Sequence, residues 1–230
     1  HKVDKKTIAE MAKNLIKPVQ APGKVIKLDP LKAQRIDKSL PSKKSPTKTP
    51  LEEKLEMVRQ FHKTVSSFDK RIINTRVAYW DSVIERAFRN SEGSLMHQTV
   101  PRTKLIILPI GREGNRIESD FVSNGRTAGF EFIEGLDMEG VSRKVASGTV
   151  ELLSSKTPPS GEFTVIVDPG MAGMIAHESF GHGLEADQVV RERSYLAPLV
   201  GKEVASEYAT IIDSPVLEGG YPCFVFRIFM

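Results

Sequence analysis

Apolar residues recur every three or four positions in two segments of the first third of the chain. Residues 6–16 carry them at Ile8, Met11, Ala12 and Leu15, which predicts an amphipathic helix. Residues 51–68, entered through Pro50, repeat the pattern at Leu51, Leu55, Val58, Phe61 and Val65. His62 of this second helix is expected at its surface or in ordinary packing. Residues 17–50 are proline-rich and without period, which predicts an extended connector.

An alternating pattern replaces the helical one beyond residue 70. It predicts four strands, at residues 72–80, 82–89, 94–100 and 102–111. Residues 90–93, Asn-Ser-Glu-Gly, form a good hairpin turn, so adjacent strands joined by short turns indicate an antiparallel sheet. Trp80 is expected to pack in the core or on the sheet, and His97 to lie at the surface.

A glycine- and arginine-rich stretch, residues 111–129, comes next. It lacks the order of strand, glycine loop and helix that a phosphate site needs, so it is interpreted as a connection between strands or as a loop near a substrate entrance. Residues 136–153 then predict a long helix with Asp137 as its N-cap and an apolar stripe at Val141, Val145, Val150 and Leu153. Residues 156–161 break the pattern.

The last part of the chain begins with a short apolar run. Residues 163–167 predict a buried strand, residues 168–170 a turn, and residues 171–176 an apolar helix. Residues 191–195 are charged and without a clean period, which leaves an exposed loop or a contact with substrate. Residues 209–212 predict another short strand.

Composition limits the classes of protein that remain. The 230 residues are 40% hydrophobic and 27% charged, as in ordinary globular proteins. The single cysteine excludes an internal disulfide framework and fits a reducing cytoplasm, where we expect the protein to reside. No apolar run reaches the roughly eighteen residues of a membrane span, and the start has no signal-peptide core. The chain lacks an initiating methionine, so we expect a fragment of a longer protein.

Positive charge is concentrated at the start of the chain. Residues 1–50 hold 13 Lys/Arg and 4 Asp/Glu, a balance of +9, whereas residues 51–230 hold 20 and 25, a balance of −5. Such a basic segment could attract nucleic acid. Residues 43–50, however, are proline-rich and have no aromatic side chain to stack on bases, which favours a solvated linker.

The strongest chemical signal lies at residues 177–183, which read HESFGHG. Neutral imidazoles bind Zn²⁺, and a nearby carboxylate can take a proton from water at the metal. His177 and His182 stand five residues apart, which separates them by about 140° on an ideal α-helix. A shared metal therefore requires a π-bulge or an unwound turn, and Gly181 and Gly183 supply backbone freedom for it.

The motif and the residues after it resemble the TldD/PmbA family, also called modulators of DNA gyrase. The segments that carry the resemblance are 177–187 (HESFGHGLEAD), 200–206 (VGKEVAS), 210–213 (TIID), 90–93 (NSEG) and 125–131 (GRTAGFE). The family contains metallopeptidases that act on peptides and unfolded segments, and sister subunits without the metal motif. This chain has the motif and is similar to the catalytic TldD type.

The resemblance implies roles for individual residues. His177 and His182 would bind Zn²⁺, and Glu178 would be the general base that activates water and later protonates the leaving amine. Glu185 and Asp187 either orient a histidine through its other ring nitrogen or form a solvated acidic face or helix end. The resemblance also implies a peptide or unfolded-protein substrate, and assembly as a homo-oligomer or as a heterodimer with a motif-less sister subunit.

The chain departs from the family pattern at the third metal ligand. In the family this ligand is a cysteine of a glycine-rich C-terminal segment, which is not identifiable here. The single cysteine, Cys223, is followed by an apolar tail and is interpreted as an incidental thiol rather than as a ligand. We therefore expect weak or no zinc binding by the isolated 230 residues.

These observations give one expectation for the fold and three for the function. We expect an α+β fold, a largely antiparallel sheet with flanking helices, followed by the start of a second, catalytic α/β domain. Its parts are expected at residues 1–50 (helix and basic linker), 51–157 (α+β domain) and 158–230 (incomplete metallopeptidase domain). The expected function is TldD-like peptide hydrolysis. The alternatives are a non-catalytic interaction subunit or inactive fragment, and a nucleic-acid-associated protein.

Overall fold

A computed structural model of the chain describes residues 4–16, 32–213 and 220. Its centre is a hairpin of two long strands, β2 (Ile72–Arg89) and β3 (Leu95–Glu113). The two strands pair antiparallel from Ile72 and Gly111 to Arg89 and Leu95, with a bulge between Ile72 and Asn74, and the predicted turn joins them. In that turn the Asn90 side chain accepts a hydrogen bond from the Ser94 amide at 2.9 Å, and Gly93 takes a φ of +92°.

The expected four short strands are in fact these two. Asp81 and Pro101, which interrupt the apolar alternation, stay inside the ladder, paired with Thr103 and Val83. Proline cannot donate to a ladder and is tolerated where no partner needs its N–H. On its other edge, β3 pairs with a short strand at residues 35–39 as far as Thr99, and with a second short strand at residues 122–126 from Thr103 onward. Pro101 therefore lies between these two ladders.

Three shorter strands complete the sheet on β3. Strand β1 (Arg35–Ser39) pairs parallel to it, while β4 (Arg116–Ser119) and β5 (Val122–Arg126) pair antiparallel. Strand β1 lies in the predicted connector and was not expected. Its sequence is polar and mostly exposed, so it follows from the open edge of β3 rather than from an apolar pattern. The glycine- and arginine-rich stretch supplies β4 and β5.

Two helices cover one face of the sheet. Helix α2 (Leu51–Ser66) and helix α4 (Met138–Ser154) confirm the helical predictions, and the Asp137 carboxylate caps α4 by accepting from the Gly140 amide at 3.0 Å. A short helix, α3 (Glu131–Glu134), precedes α4. The core between helices and sheet is Met57, Phe61, Val65, Ile72, Leu105, Ile107, Phe130, Ile133, Val145 and Ala146. The sheet with flanking helices confirms the α+β prediction.

Trp80, expected in the core or on the sheet, lies on the opposite face of the sheet and not in the core. Its neighbour Tyr79 points to the helices, with its ring edge-on to Phe130 at 5.7 Å between centroids. Successive side chains of a strand point to opposite faces. Trp80 therefore lies on the uncovered face and remains 46% exposed. His97, as expected, lies at the surface, where it contacts Asp37 and Glu85.

Residues 43–50, expected to be a solvated linker, pack on the sheet and its helices. The Lys44 ammonium pairs with Glu53 of α2 and, at 2.6 Å, with Glu134 of α3. Hydrogen bonds to Glu134 and Glu53 raise the pKa of Lys44. Pro46 is fully buried and Thr49 is nearly so. Lys44 and Pro46 therefore differ from a solvated linker, because Glu53, nine residues along the chain, and Glu134 neutralise the lysine.

After α4, the regular elements of the described residues are all helical. The expected strand at residues 163–167 is absent, and Ile166 is fully exposed. Residues 209–212 likewise form no strand. A strand needs a neighbouring strand to satisfy its backbone groups, and these segments pair with none of the strands in the described residues.

Three helices of the described chain remain: α1 (Lys5–Ile16), α5 (Pro169–Ala176) and α6 (Ala186–Val190). Helix α1 confirms the first helical prediction, although its apolar residues Ile8, Met11 and Leu15 are exposed. Among the described residues, none of the helices combines the length and the apolar character that crossing a bilayer requires.

Candidate metal centre

Helix α5 leads directly into the histidine motif. The Asp168 carboxylate caps it by accepting from the Met171 amide at 2.8 Å, and Pro169 occupies the first helical position. Residues 168–170, predicted as a turn, are therefore the start of the helix. Its short apolar body ends at Ala176, so the motif lies at its C-terminal end.

The motif adopts the distorted turn that the spacing requires. Residues His177–Gly181 are π-helical, and the His182 amide donates to the carbonyl oxygen of His177. A bond across five residues widens the turn by one residue relative to an α-helix. The next three residues, His182–Leu184, tighten into a 3₁₀ turn. Histidines five apart thus become neighbours on one side of the chain.

The two imidazole rings lie side by side, with centroids 4.6 Å apart and planes at 62°. Ligand atoms of His177, Glu178 and His182 all lie within 4.8 Å of one another, and all three side chains are exposed. Two ligands at about 2 Å from one ion lie at most about 4 Å apart. Small rotations of exposed side chains would close that difference, so these residues fit a divalent metal.

A second carboxylate determines which ring nitrogen of His182 carries the proton. Its Nδ1 lies 2.9 Å from Glu185 Oε1, while its Nε2 faces Glu178 Oε2 at 3.8 Å. A hydrogen bond from Nδ1–H to Glu185 leaves the lone pair on Nε2, which is the nitrogen on the side of Glu178. Asp187 lies 3.7 Å from Arg191 instead. Of the two acidic residues considered, Glu185 contacts the motif.

Glycine at position 181 leaves room for the first histidine. A Cβ built on Gly181 would lie 3.2 Å from Nδ1 of His177. That distance is shorter than ordinary van der Waals contact, so a side chain there would push the ring. The sequence predicted that Gly181 provides backbone freedom for the turn. The structure shows that it also leaves space for the His177 ring.

Two residues of the predicted exposed loop contact the motif and were missed in the sequence. The Tyr195 hydroxyl donates to the carbonyl oxygen of Ser179, and the Ser194 hydroxyl donates to that of Gly183 at 2.5 Å. No local sequence pattern predicts these contacts, because Tyr195 is 16 residues from Ser179 and Ser194 is 11 residues from Gly183. Only the path of the loop brings them together.

An apolar groove of about 480 Å³ adjoins the motif. Phe180 of the motif and Leu184, which directly follows it, line the groove together with Leu196, Leu199, Val200 and Val204 among others. Cys223 lies outside the described residues. Within the described part of the chain, the histidine pair with Glu178 is the one group found that could hold a metal.

Comparison with known proteins agrees with the family resemblance and the fold. The profile of the PmbA/TldA metallopeptidase central domain matches residues 44–153, and that of the C-terminal domain matches residues 160–226. A metalloprotease of Methanothermobacter thermautotrophicus is 36% identical over 188 residues, which cover 81% of this chain and 41% of that protein. A zinc metalloprotease TldD homolog of Saccharolobus solfataricus is 27% identical over 169 residues, covering 73% and 37%.

Solved structures share the fold. The crystal structure of a proposed modulator of DNA gyrase from Bacteroides thetaiotaomicron superposes with a TM-score of 0.74 at 20% identity, covering 98% of this chain and 52% of that one. The chain spans about two fifths of the length of the curated relatives it matches, 41% and 37% in the two named above. Both family profiles match, and together they cover most of the sequence. The chain therefore belongs to the TldD/PmbA family of metallopeptidases.

Proposed function

We propose that the protein containing this chain hydrolyses peptide bonds with a zinc ion bound by His177 and His182. The observation that carries the proposal is the π-helical turn, because it brings together two imidazoles that an α-helix would separate. Zinc in such a site polarises the scissile carbonyl and lowers the pKa of bound water. The names of the relatives, metalloprotease and zinc metalloprotease, support the same activity.

Glu178 is the proposed general base. It neighbours His177 in the chain, and its carboxylate lies 3.8 Å from Nε2 of His182. A carboxylate in that position accepts a proton from the attacking water and returns it to the leaving amine. Glu185 holds the other nitrogen of His182, so that Nε2 keeps its lone pair toward Glu178.

The proposed substrate is a small or unfolded polypeptide. The motif side chains are exposed, so an extended chain could reach them without entering a closed cavity. The apolar groove begins at Phe180 and Leu184, inside and directly after the π turn. It would accept an apolar side chain of a peptide whose backbone crosses the motif.

The proposal is tested by replacing the base in the full-length protein. Glu178→Gln keeps the shape of the side chain and removes its proton acceptor, so we expect hydrolysis of an unfolded protein to fall by about 10²-fold or more. Glu162→Gln, an exposed glutamate before α5, is the matched control and should retain activity. Full activity of the Glu178→Gln variant, with folding verified by circular dichroism, would contradict the proposal.

Measuring the bound zinc tests separately whether a third protein ligand is missing from this chain. Catalytic zinc usually has three protein ligands, and the described residues group only His177, Glu178 and His182. We expect the full-length protein to lose activity on chelation and to regain it with zinc. The isolated 230-residue chain should hold zinc weakly. Stoichiometric, tightly held zinc in the isolated chain would show that this expectation is wrong.

The absence of a third ligand among the described residues also favours a second candidate, a non-catalytic interaction subunit. The Glu178→Gln comparison separates the two, since an interaction subunit has no hydrolysis to lose. A nucleic-acid role is less supported, because Lys44 of the basic segment already pairs with Glu53 and Glu134. Removal of residues 1–31 leaves β1 and Lys44 in place, and no measurable DNA binding by either the full-length or the shortened protein would exclude that role.

The proposed assembly is a homo-oligomer, or a heterodimer with a sister subunit that lacks the metal motif. The resemblance to the family supports it. Light scattering of the full-length protein, alone and with such a sister from the same organism, measures the mass directly. A monomer under both conditions would contradict the assembly but not the proposed chemistry.

A further inference from the structure

We propose that Ser194 and Tyr195 are positioning residues that clamp the distorted turn of the motif and thereby hold His177 and His182 in place for a shared metal. The two residues are called the clamp below. The inference deepens the proposed function and rests on it for the identity of the ligand, although the clamp itself is a feature of the fold.

The need for a clamp follows from the backbone of the turn. In a regular helix each carbonyl accepts from an amide four residues later. A passage from π-helical to 3₁₀ geometry within eight residues, His177 to Leu184, interrupts that register. Backbone carbonyls left without an amide donor accept from side chains or from water. The hydroxyls of Tyr195 and Ser194 donate to the carbonyl oxygens of Ser179 and Gly183.

One acceptor lies between the two histidines and the other directly after them. Ser179 comes two residues after His177, inside the π-helical segment, and Gly183 directly follows His182. The Tyr195 hydroxyl therefore holds the π-helical part of the turn, and the Ser194 hydroxyl holds its 3₁₀ end. Holding both parts limits the rearrangement that would move the two rings apart.

The loop that carries the clamp is itself fixed. The Gln188 carbonyl of α6 accepts from the amides of Arg193 at 2.8 Å and Ser194 at 3.2 Å. Glu192 adopts a left-handed φ of +57°, which turns the chain back toward the motif. A non-glycine residue in this conformation costs about 1–2 kcal/mol, so the surrounding contacts must favour the turn.

The Ser194 hydroxyl has a single hydrogen-bonding arrangement. It donates to the Gly183 carbonyl at 2.5 Å and accepts from the amides of Leu196 and Ala197 at 3.2 and 3.1 Å. These three bonds use its one proton and both lone pairs. Ser194 thus joins the motif to the start of the next turn through fully assigned hydrogen bonds.

Close packing supports the same contact. Gly183 is buried, and a Cβ built on it would lie 2.9 Å from Leu196 Cδ1 and 3.2 Å from Tyr195 Cε1. Leu196 is only 8% exposed, in a part of the chain where most side chains are open to solvent. The loop therefore touches the motif through side-chain packing as well as through two hydroxyls.

The test uses Tyr195→Phe, which removes one oxygen and keeps the ring, in the full-length protein. Tyr208→Phe is the matched control, because Tyr208 is 91% exposed. Two quantities are measured: zinc affinity by competition with a chelating dye, and amide hydrogen exchange of residues 177–184 without metal. We expect Tyr195→Phe to weaken zinc binding about fivefold to tenfold and to speed exchange by a similar factor.

A second variant guards against misfolding. Ser194→Ala removes the other hydroxyl, and we expect the same two changes; should it unfold, Tyr195→Phe still decides. Unchanged zinc affinity or unchanged exchange in a folded Tyr195→Phe variant would overturn the clamp. The exchange measurement needs neither metal nor hydrolysis. A protein that hydrolyses nothing but shows faster exchange would thus refute the proposed function and not the clamp.

Discussion

At the scale of single residues, the site depends on which atoms of the motif are free. Both nitrogens of His182 face a carboxylate, Glu185 at 2.9 Å and Glu178 at 3.8 Å. Only the nearer contact is a hydrogen bond. The proton position on the ring therefore follows from Glu185, and the nitrogen left for a metal is Nε2.

Replacing Glu185 tests this directly. Glu185→Gln removes the charge that orients the ring, and we expect zinc affinity of the full-length protein to fall about 10- to 100-fold. Asp187→Asn makes the same chemical change at the residue paired with Arg191 and should leave the affinity unchanged. Nitrogen NMR of the metal-free protein reports the tautomer of His182. A proton on Nε2 in the unaltered protein would contradict the assignment.

The glycine under the first histidine gives a second residue-scale prediction. Gly181→Ala places a methyl group 3.2 Å from His177 Nδ1, so the ring must shift by a few tenths of an ångström. We expect zinc affinity to fall several-fold with little loss of stability, as measured by calorimetric titration and thermal melting. Gly173→Ala, where nothing lies within 4 Å, is the control. Equal affinities for both variants would contradict the prediction.

His97 links three strands and gives a prediction on pH. Hydrogen bonds to Glu85 and then to Asp37 raise its pKa above the ordinary value. The protonated form is favoured on folding, so its contribution to stability is complete below about pH 6.5 and is lost as pH rises through the folded pKa. We expect the urea midpoint to decline from about pH 6 to about pH 8, and less so in His97→Gln. Identical pH dependence of the two proteins would contradict this.

At the scale of elements, helix α4 and strand β3 meet at a residue without a side chain. A Cβ on Gly111 would lie 3.0 Å from Thr149 Cγ2 and 3.1 Å from Leu153 Cδ1. The close approach lets Leu153 bury against the sheet. Neither the helical stripe nor the strand pattern contains this information, because each describes one partner only.

We expect Gly111→Val to destabilise the protein by about 1–3 kcal/mol, since the added carbons have no space between the two elements. Ser119→Val introduces the same side chain at an exposed strand position and should change stability by no more than about 0.5 kcal/mol. The free energy of unfolding in urea measures both. A Gly111→Val variant as stable as the unaltered chain would show that the helix can move away without cost.

At the scale of the whole molecule, an exposed connection separates the sheet and its helices from the motif. Residues 155–168, which form this connection, have no regular structure. On the N-terminal side of the sheet domain, by contrast, ion pairs of Lys44 hold the segment before α2 against helices α2 and α3. The proposed boundary between two domains lies in this connection. The two family profiles also match on either side of it, at residues 44–153 and 160–226.

Limited trypsin digestion tests that boundary. Lys156 is exposed in the connection, so we expect early cleavage there and a resistant fragment that contains residues 32–156. Lys156→Gln should slow this first cut. Mass spectrometry identifies the fragments. A first cut inside the hairpin of β2 and β3, with Lys156 left intact, would contradict a separately folded sheet domain.

The long helices were predictable because their signals are local. The cap at Asp137 and the stripes of α2 and α4 lie within one element, and burial of one face follows from them. Strand β1 was not predictable, since a polar segment becomes a strand only where an edge of β3 is open. The apolar run at residues 163–167 did not form the predicted strand, because it pairs with no strand of the described sheet and an apolar pattern alone does not supply a partner.

The sequence by itself determined the chemistry of the site: two imidazoles and a carboxylate, at a spacing that excludes an undistorted helix. Tertiary structure decided which further groups touch it. Tyr195 reaches Ser179, 16 residues away, only because the loop folds back. Backbone geometry repeats over a few residues and can be deduced from spacing. Contacts between distant residues depend on the path of the chain between them, which spacing does not encode.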